Sequence, residues 1–313
     1  MASSVAAFVG MFLLMVAITL LLRRYGVLGK DTARSLSAVL MRVIMPTVIF
    51  HSFARANPDV SQLIGTGVVY TAEILSAIAA FIAGRWLLRL ERAALGVFII
   101  ACTFGSTSLI GNTLVQVLFK NDPEILSMSM VVGQFAFGIP TNTIGLLLAM
   151  RFGAPERRMP LSRQALTIAR HPSLLALFAG VTWSLLDLPE TGYILDIIFG
   201  ACTFIGASLP MFTAMIVGLS LTALNVRNDL PVLVAAIMIA LFVEPLIVSN
   251  LLGMISVDEK TRMVTVLFAA MPATPLSVAF AHQFGGDVAL ASKLSTATLI
   301  ISAASLPLIA LTL

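Results

Sequence analysis

Two stretches of this chain carry the wrong residues for their surroundings. Residues 101–112 read Ala-Cys-Thr-Phe-Gly-Ser-Thr-Ser-Leu-Ile-Gly-Asn, and residues 268–275 read Phe-Ala-Ala-Met-Pro-Ala-Thr-Pro. Each lies inside a long apolar run and fills its middle with small, hydroxylated or helix-breaking residues. In hydrocarbon a freed backbone N–H or C=O is costly, so an interrupted helix persists only against protein or a wet cavity. Two interruptions at matching places in two halves of a chain point to a transport site. The pattern predicts a protein that moves a small solute across a membrane.

Composition agrees. Of 313 residues 59% are hydrophobic and 11% charged, with a mean hydropathy of +1.02, whereas soluble domains carry about 25% charged residues. The net charge of +4 comes from nineteen Lys and Arg. They sit mostly between apolar runs, which leaves no solvated basic face for nucleic acid. Cys102 and Cys202 lie in apolar runs and read as packing residues. His51, His171 and His282 are too scattered for a zinc site. The first apolar run lacks a positive leader and a cleavage site, so it is expected to be a retained helix.

About 20 apolar residues cross a bilayer as a helix. Ten runs qualify: 4–22, 36–54, 63–88, 93–119, 125–150, 174–188, 193–224, 230–254, 263–284 and 288–311. The expected fold is therefore an all-α polytopic membrane protein of ten transmembrane helices. With ten spans, one set of linkers holds fourteen basic residues and the other holds Arg55, Lys120, Lys260 and Arg262, with Arg42 inside the second span. The positive-inside rule then puts both termini outside the cytoplasm. Five spans per half invert the second half relative to the first, giving two inverted five-helix repeats with helices 4 and 9 broken where they cross. Kink residues Pro46 and Pro210 fall at comparable distances before Gly105 and Pro272. The expected division is 1–150 and 173–313, joined by a basic, proline-bearing cytoplasmic linker at 151–172.

Candidate site residues follow from polarity inside apolar runs. Gly105, Gly111, Pro272 and Pro275 are the helix-breaking positions. Around them Ser106, Thr107, Ser108, Asn112 and Thr274 are candidate substrate contacts, and two half-helix N-termini meeting there would favour an anion. In the fifth run, Gln134 and Asn142 stand eight residues apart on one helical face and can reach the same cavity. Arg42 reads either as a side chain reaching toward the cytoplasmic surface or as a partner for an anion. Glu73 and Glu244, acids within spans, are candidate carriers of a coupling ion or else interhelical hydrogen-bond partners. No nucleophile elbow, phosphate loop or zinc-protease helix is present, so no enzyme and no cofactor are expected.

The chain resembles the auxin efflux carrier family, whose bacterial members include organic-anion and malonate permeases. The likeness rests on the order and spacing of Arg24-Tyr-Gly-Val-Leu28, Leu40-Met-Arg-Val-Ile-Met-Pro46, Pro210-Met-Phe-Thr-Ala-Met-Ile-Val-Gly218, Ala269-Ala-Met-Pro272 and Phe280-Ala-His-Gln-Phe-Gly-Gly286-Asp287. It implies a fold similar to the bile-acid sodium symporters. It also implies a fixed scaffold of helices 1, 2, 6 and 7, a transport domain of helices 3–5 and 8–10 moving like an elevator, and a homodimer. The sequence departs from the family pattern in having Ser106 after Phe104-Gly105, Thr274-Pro275 after Pro272, and Arg42 where an Asn is frequent. These departures bear on substrate and ion.

The leading expectation is a secondary transporter of a small organic anion, a carboxylate, coupled to protons, in a bacterial inner membrane. Sodium coupling through Thr103, Ser106, Gln134 and Thr298 is an alternative, and a ligand receptor that moves nothing is another. The expected partners are the anion, a proton or sodium, membrane lipid and a second copy of the chain.

Overall fold

Long apolar stretches leave the backbone one way to satisfy its amides in lipid, the helix. In this computed structural model residues 2–55, 60–111, 115, 119, 123–153, 170–221 and 226–312 are described, and they are almost wholly helical. α1 (Ala2–Arg24) ends on two cations, which suit the negative end of a helix. Arg23 Nη1 donates to the carbonyls of Leu219 and Leu221 at 3.1 and 2.7 Å. α2 (Lys30–Val39) continues through a π-helical turn, Leu40–Ile44, into α3 (Met45–Ala54), with Pro46 in the first turn of α3. α4 (Val60–Ile82) and α5 (Arg92–Thr103) follow. Next come α6 (Pro123–Val132), π turns at Gly133–Gly138 and Thr141–Gly145, and α7 (Leu146–Phe152).

The remainder comprises α8 (Pro172–Leu185), α9 (Tyr193–Gly206), α10 (Leu209–Ser220) and α11 (Val226–Met238). A π turn at Ile239–Val243 leads into α12 (Glu244–Gly253), then α13 (Glu259–Ala269), α14 (Leu276–Phe284) and α15 (Val288–Thr312). Pro210 stands in the first turn of α10, where a missing N–H leaves no helical bond broken.

The structure corrects the expected ten spans. Among the described residues, six helices are long and apolar enough to cross a membrane: Asp31–Ala54, Val60–Leu87, Met128–Phe152, Tyr193–Ser220, Asp229–Gly253 and Val288–Leu306. Six such helices do not divide into two copies of five, and no clear inverted repeat is present among the described residues. Hydropathy summed along a run does not register where the backbone leaves the helix. The run 93–119 gives a helix of 12 residues before Phe104 turns extended. The run 263–284 divides into helices of 11 and 9 residues, and the run 174–188 yields a helix of 14. Each is shorter than the roughly 20 residues a span needs. The chain is a multi-pass, all-α membrane protein. Most of the expected linker, 154–169, lies outside the described residues.

Close approach between helices depends on small residues. α8 packs along α3 with Gly180 against its backbone: a Cβ there would lie 2.8 Å from Phe53 Cβ and 2.9 Å from the Phe50 carbonyl oxygen. A second close contact joins α10 to α1, where a Cβ on Gly218 would meet the Val16 carbonyl at 3.0 Å. Phe98, Phe104, Phe137, Phe268 and Phe280 are fully buried, whereas Tyr193 and Phe204 on α9 are exposed, as lipid-facing residues are.

Asp258 stands outside the spans and ties two helix starts together. Its Oδ1 accepts from the Thr261 N–H at 2.8 Å, capping α13, and its Oδ2 accepts from Ser61 Oγ of α4 at 2.8 Å. Partial burial pushes this carboxyl up, but the hydrogen bonds from Thr261 and Ser61 outweigh it and hold the group below its ordinary value of 3.8. A depressed carboxylate stabilises the fold above its unfolded-state value, about 3.9, and that contribution fades as pH falls through the folded-state value.

Two predictions follow from this packing. Gly180→Ala should lower stability by about 1–3 kcal/mol through overpacking against backbone, whereas Gly67→Ala, with nothing within 4 Å of the added methyl, should be neutral or slightly stabilising; thermal melts of the detergent-purified variants compare them. Asp258→Ala should cost about 1 kcal/mol at neutral pH, with the gap to the wild type closing as pH drops below about 4; a pH series of melting curves tests the sign.

Candidate functional site

The interruption after α5 begins at Phe104, whose backbone is extended (φ −109°, ψ 111°). Gly105 forms an antiparallel bridge with Ala273 in the gap between α13 and α14. The Ser106 N–H donates to the Pro272 carbonyl at 2.8 Å, and the Thr274 N–H donates to the Phe104 carbonyl at 2.9 Å. The Ala273 N–H is taken by Thr298 Oγ1 of α15 at 3.1 Å. Pro272 and Pro275 lack an N–H, so neither adds a donor needing satisfaction. Each interrupted segment supplies what the other lost, and the third donor goes to a side chain. Gly105 is required by proximity, since a Cβ would sit 3.1 Å from Met271 Cβ and 3.3 Å from its carbonyl oxygen. Gly111 is similarly tight, with Phe268 Cε1 at 2.8 Å from an added Cβ.

Two helical segments begin at this crossing. A π-helical turn, Thr107–Gly111, starts one residue after Ser106, and α14 starts at Leu276 directly after Pro275. The first N–H groups of a helical segment have no partner within it and carry its partial positive charge. The crossing lines a cavity of about 40 Å³ with Gly105, Ser106, Thr107, Gln134, Gly138, Thr141, Asn142, Thr274 and Pro275, closed on another side by Met45, Val48 and Ile49 of α3 and Leu209 and Thr213 of α10. Among the described residues no charged side chain lines it.

The lining residues differ in what they can offer. Thr141 Oγ1 donates to the Phe137 carbonyl at 2.7 Å, and Thr213 Oγ1 lies 2.8 and 3.0 Å from the carbonyls of Leu209 and Pro210. Asn142 Nδ2 donates to the Gly138 carbonyl at 2.8 Å. Thr274 Oγ1 accepts from the Leu276 N–H at 3.4 Å, which leaves its own proton to give. Gln134 is buried in the first of two π turns, with its Oε1 close to Gly138. Such turns widen a helix and are frequent at functional sites.

Of the residues singled out in the sequence, Gly105, Ser106, Thr107, Gln134, Asn142, Thr274 and Pro275 come together here, and Pro272 contributes its carbonyl. The Ser108 side chain and Asn112 lie outside the described residues. Arg42 is exposed on the π turn before α3 and is not among the lining residues. Glu73 and Glu244 are buried elsewhere. Thr141 and Thr213 carried no signal in the sequence, because a Thr that bonds its own helix looks like any other Thr in an apolar run. Among the described residues no cluster of His, Cys, Asp and Glu could hold a metal ion.

The sequence pattern of the family described as membrane transport protein matches residues 4–310. A protein of Methanothermobacter thermautotrophicus described as an uncharacterized transporter is 26% identical over 299 residues, covering 95% of this chain and 94% of that one. Another uncharacterized transporter, from Methanocaldococcus jannaschii, is 20% identical over 270 residues, covering 85% of each.

The crossing makes its own prediction. Thr298→Val removes the acceptor of the buried Ala273 N–H and should cost about 1–3 kcal/mol, whereas Thr298→Ser, which keeps the oxygen, should cost less; unfolding of the two variants side by side measures the difference.

Proposed function

Because the chain belongs to the membrane transport protein family, we propose that it carries a small organic anion, a carboxylate, through the cavity where its two interrupted segments cross. The observation that carries this reading is the small cavity at the crossing, lined by hydroxyl and amide donors with the start of α14 at its edge. Helix starts favour negative charge. Ser106, Thr107 and Thr274 hydroxyls and the Gln134 amide are the donors for the carboxylate oxygens. Thr141 and Thr213 direct their protons to carbonyls of their own helices and shape the wall. A water needs roughly 10–15 Å³ by the same measure, so a cavity of about 40 Å³ suits a carboxylate head, and the rest of the solute requires the walls to part.

Those walls belong to different groups of helices. α3 and α10 form one, and the crossing with the two π turns forms the other. Motion of α4–α7 and α11–α15 past α1–α3 and α8–α10, in the manner of an elevator, carries the cavity from one side of the bilayer to the other. The resemblance to auxin efflux carriers, whose plant members export an indole carboxylate as dimers, supports the same substrate class and assembly.

A counterflow screen of small mono- and dicarboxylates in proteoliposomes tests this reading. At least one carboxylate should exchange, and Gln134→Ala and Thr274→Val should each lower kcat/KM for it by about tenfold or more, with Arg42→Gln within about twofold of wild type. Absence of exchange for every carboxylate, or indifference to both lining substitutions, would overturn it.

A further inference from the structure

Glu73 and Glu244 stand apart from the anion cavity and close to each other. Glu73 lies in the middle of α4, and Glu244 opens α12 just after the π turn Ile239–Val243; α4 and α12 pack together. Their exposures are 4% and 3%, and the buried residues among those described include no Lys or Arg. The two carboxyls are within direct electrostatic reach of each other. Tyr70 on α4 and Cys102 on α5 lie within electrostatic reach of Glu73 and Glu244 respectively; neither is a cation. The other charged groups of the packed elements lie at helix ends: Arg85 after α4, Arg92 at the start of α5, and Glu259, Lys260 and Arg262 in the first turns of α13. Lys293 of α15 is paired with Asp229 of α11 at 2.8 Å.

Three polar atoms around this pair are buried without a hydrogen-bond partner: Glu73 Oε1, Ser76 Oγ and Thr103 Oγ1. Ser76 lies beside the Glu244 carboxyl without closing a hydrogen bond of acceptable geometry. Thr103 and Glu73 line one cavity of about 290 Å³ whose walls are otherwise mostly aliphatic and aromatic, among them Ile74, Phe104, Ile139 and Leu148. Two bare carboxylates here would repel each other across an apolar interior with no cation to offset them. One shared proton removes a charge and turns one acid into a donor for the other.

We infer that Glu73 and Glu244 form a single proton-binding site, separate from the anion cavity, which holds one proton between the two carboxyls and exchanges it with bulk water as the carrier turns over. The coupling part rests on the transport reading above; the shared proton does not. The two cavities adjoin through four consecutive residues. Thr103 and Phe104 line the cavity that Glu73 borders, and Gly105 and Ser106 line the anion cavity. Displacement of this short segment by the anion is felt at the acid pair.

Infrared spectroscopy of the purified protein tests the site without any transport. The wild type should show a carboxylic-acid C=O band that shifts in D₂O and is lost when the pH is raised far enough, and Glu73→Gln/Glu244→Gln together should abolish it. In proteoliposomes the double variant should lose pH-gradient-driven carboxylate accumulation by about tenfold or more while counterflow stays within about threefold. An acid band that persists unchanged in the double variant, a band removed by sodium at constant pH, or undiminished gradient-driven accumulation would overturn the inference. Should the double variant fail to fold, the presence or absence of the titrating band in the wild type decides. Absence of counterflow for every carboxylate would remove the transport reading while leaving the infrared result to stand or fall alone.

Discussion

Hydrocarbon offers no hydrogen bonds, and the crossing of 104–106 with 272–274 exists because the two interrupted segments answer each other's loss. Opening a helix in lipid exposes amides and carbonyls at a cost no anchor residue could offset. Here the Ser106 and Thr274 amides find carbonyls across the gap, and the Ala273 amide finds Thr298. Proline at 272 and 275 lowers the number of donors to be satisfied, and glycine at 105 lets the two backbones meet. Neither segment could be interrupted alone.

The same device produces the site. Stopping a helix in mid-membrane and starting another creates a helix N-terminus far from water, where its dipole is weakly screened. In this molecule α14 starts at the edge of one small cavity, and neighbouring hydroxyls and a buried amide line it. Five fully buried phenylalanines, among them Phe104 of the break itself and Phe137 with its ring edge toward Phe268, pack this part of the bundle. A polar cavity inside an aromatic core holds its donors in fixed directions. The chemistry therefore depends on backbone geometry first and on side chains second.

The sequence revealed the interruptions because small, hydroxylated and proline residues are out of place in an apolar run. It revealed Gln134 and Thr274 for the same reason. It did not reveal how many helices span the membrane. A sum of hydropathies treats 93–119 as one run, whereas the backbone leaves the helix at Phe104 and the helix before it has 12 residues. The side-chain direction of Arg42 was equally out of reach, because the π turn Leu40–Ile44 resets the helical register just where the side chain projects. Glu73 and Glu244 were visible as acids in apolar surroundings. Their adjacency was not, since it depends on how α12 lies against α4, and local periodicity carries no record of that packing.

The link between the two buried sites is mechanical as well as spatial. Phe104 and Ser106 are both pinned to the opposite segment, one through its carbonyl and the other through its amide. A peptide held at both ends moves as a unit, because rotating one linkage alone would orphan a buried hydrogen-bonding group. Any shift of Gly105 and Ser106 that accommodates an anion therefore carries Phe104 with it, and Phe104 forms part of the wall around Glu73. The hydrogen bonds that make an interrupted helix tolerable in lipid are thus also what would transmit the arrival of a substrate to the carboxyl pair.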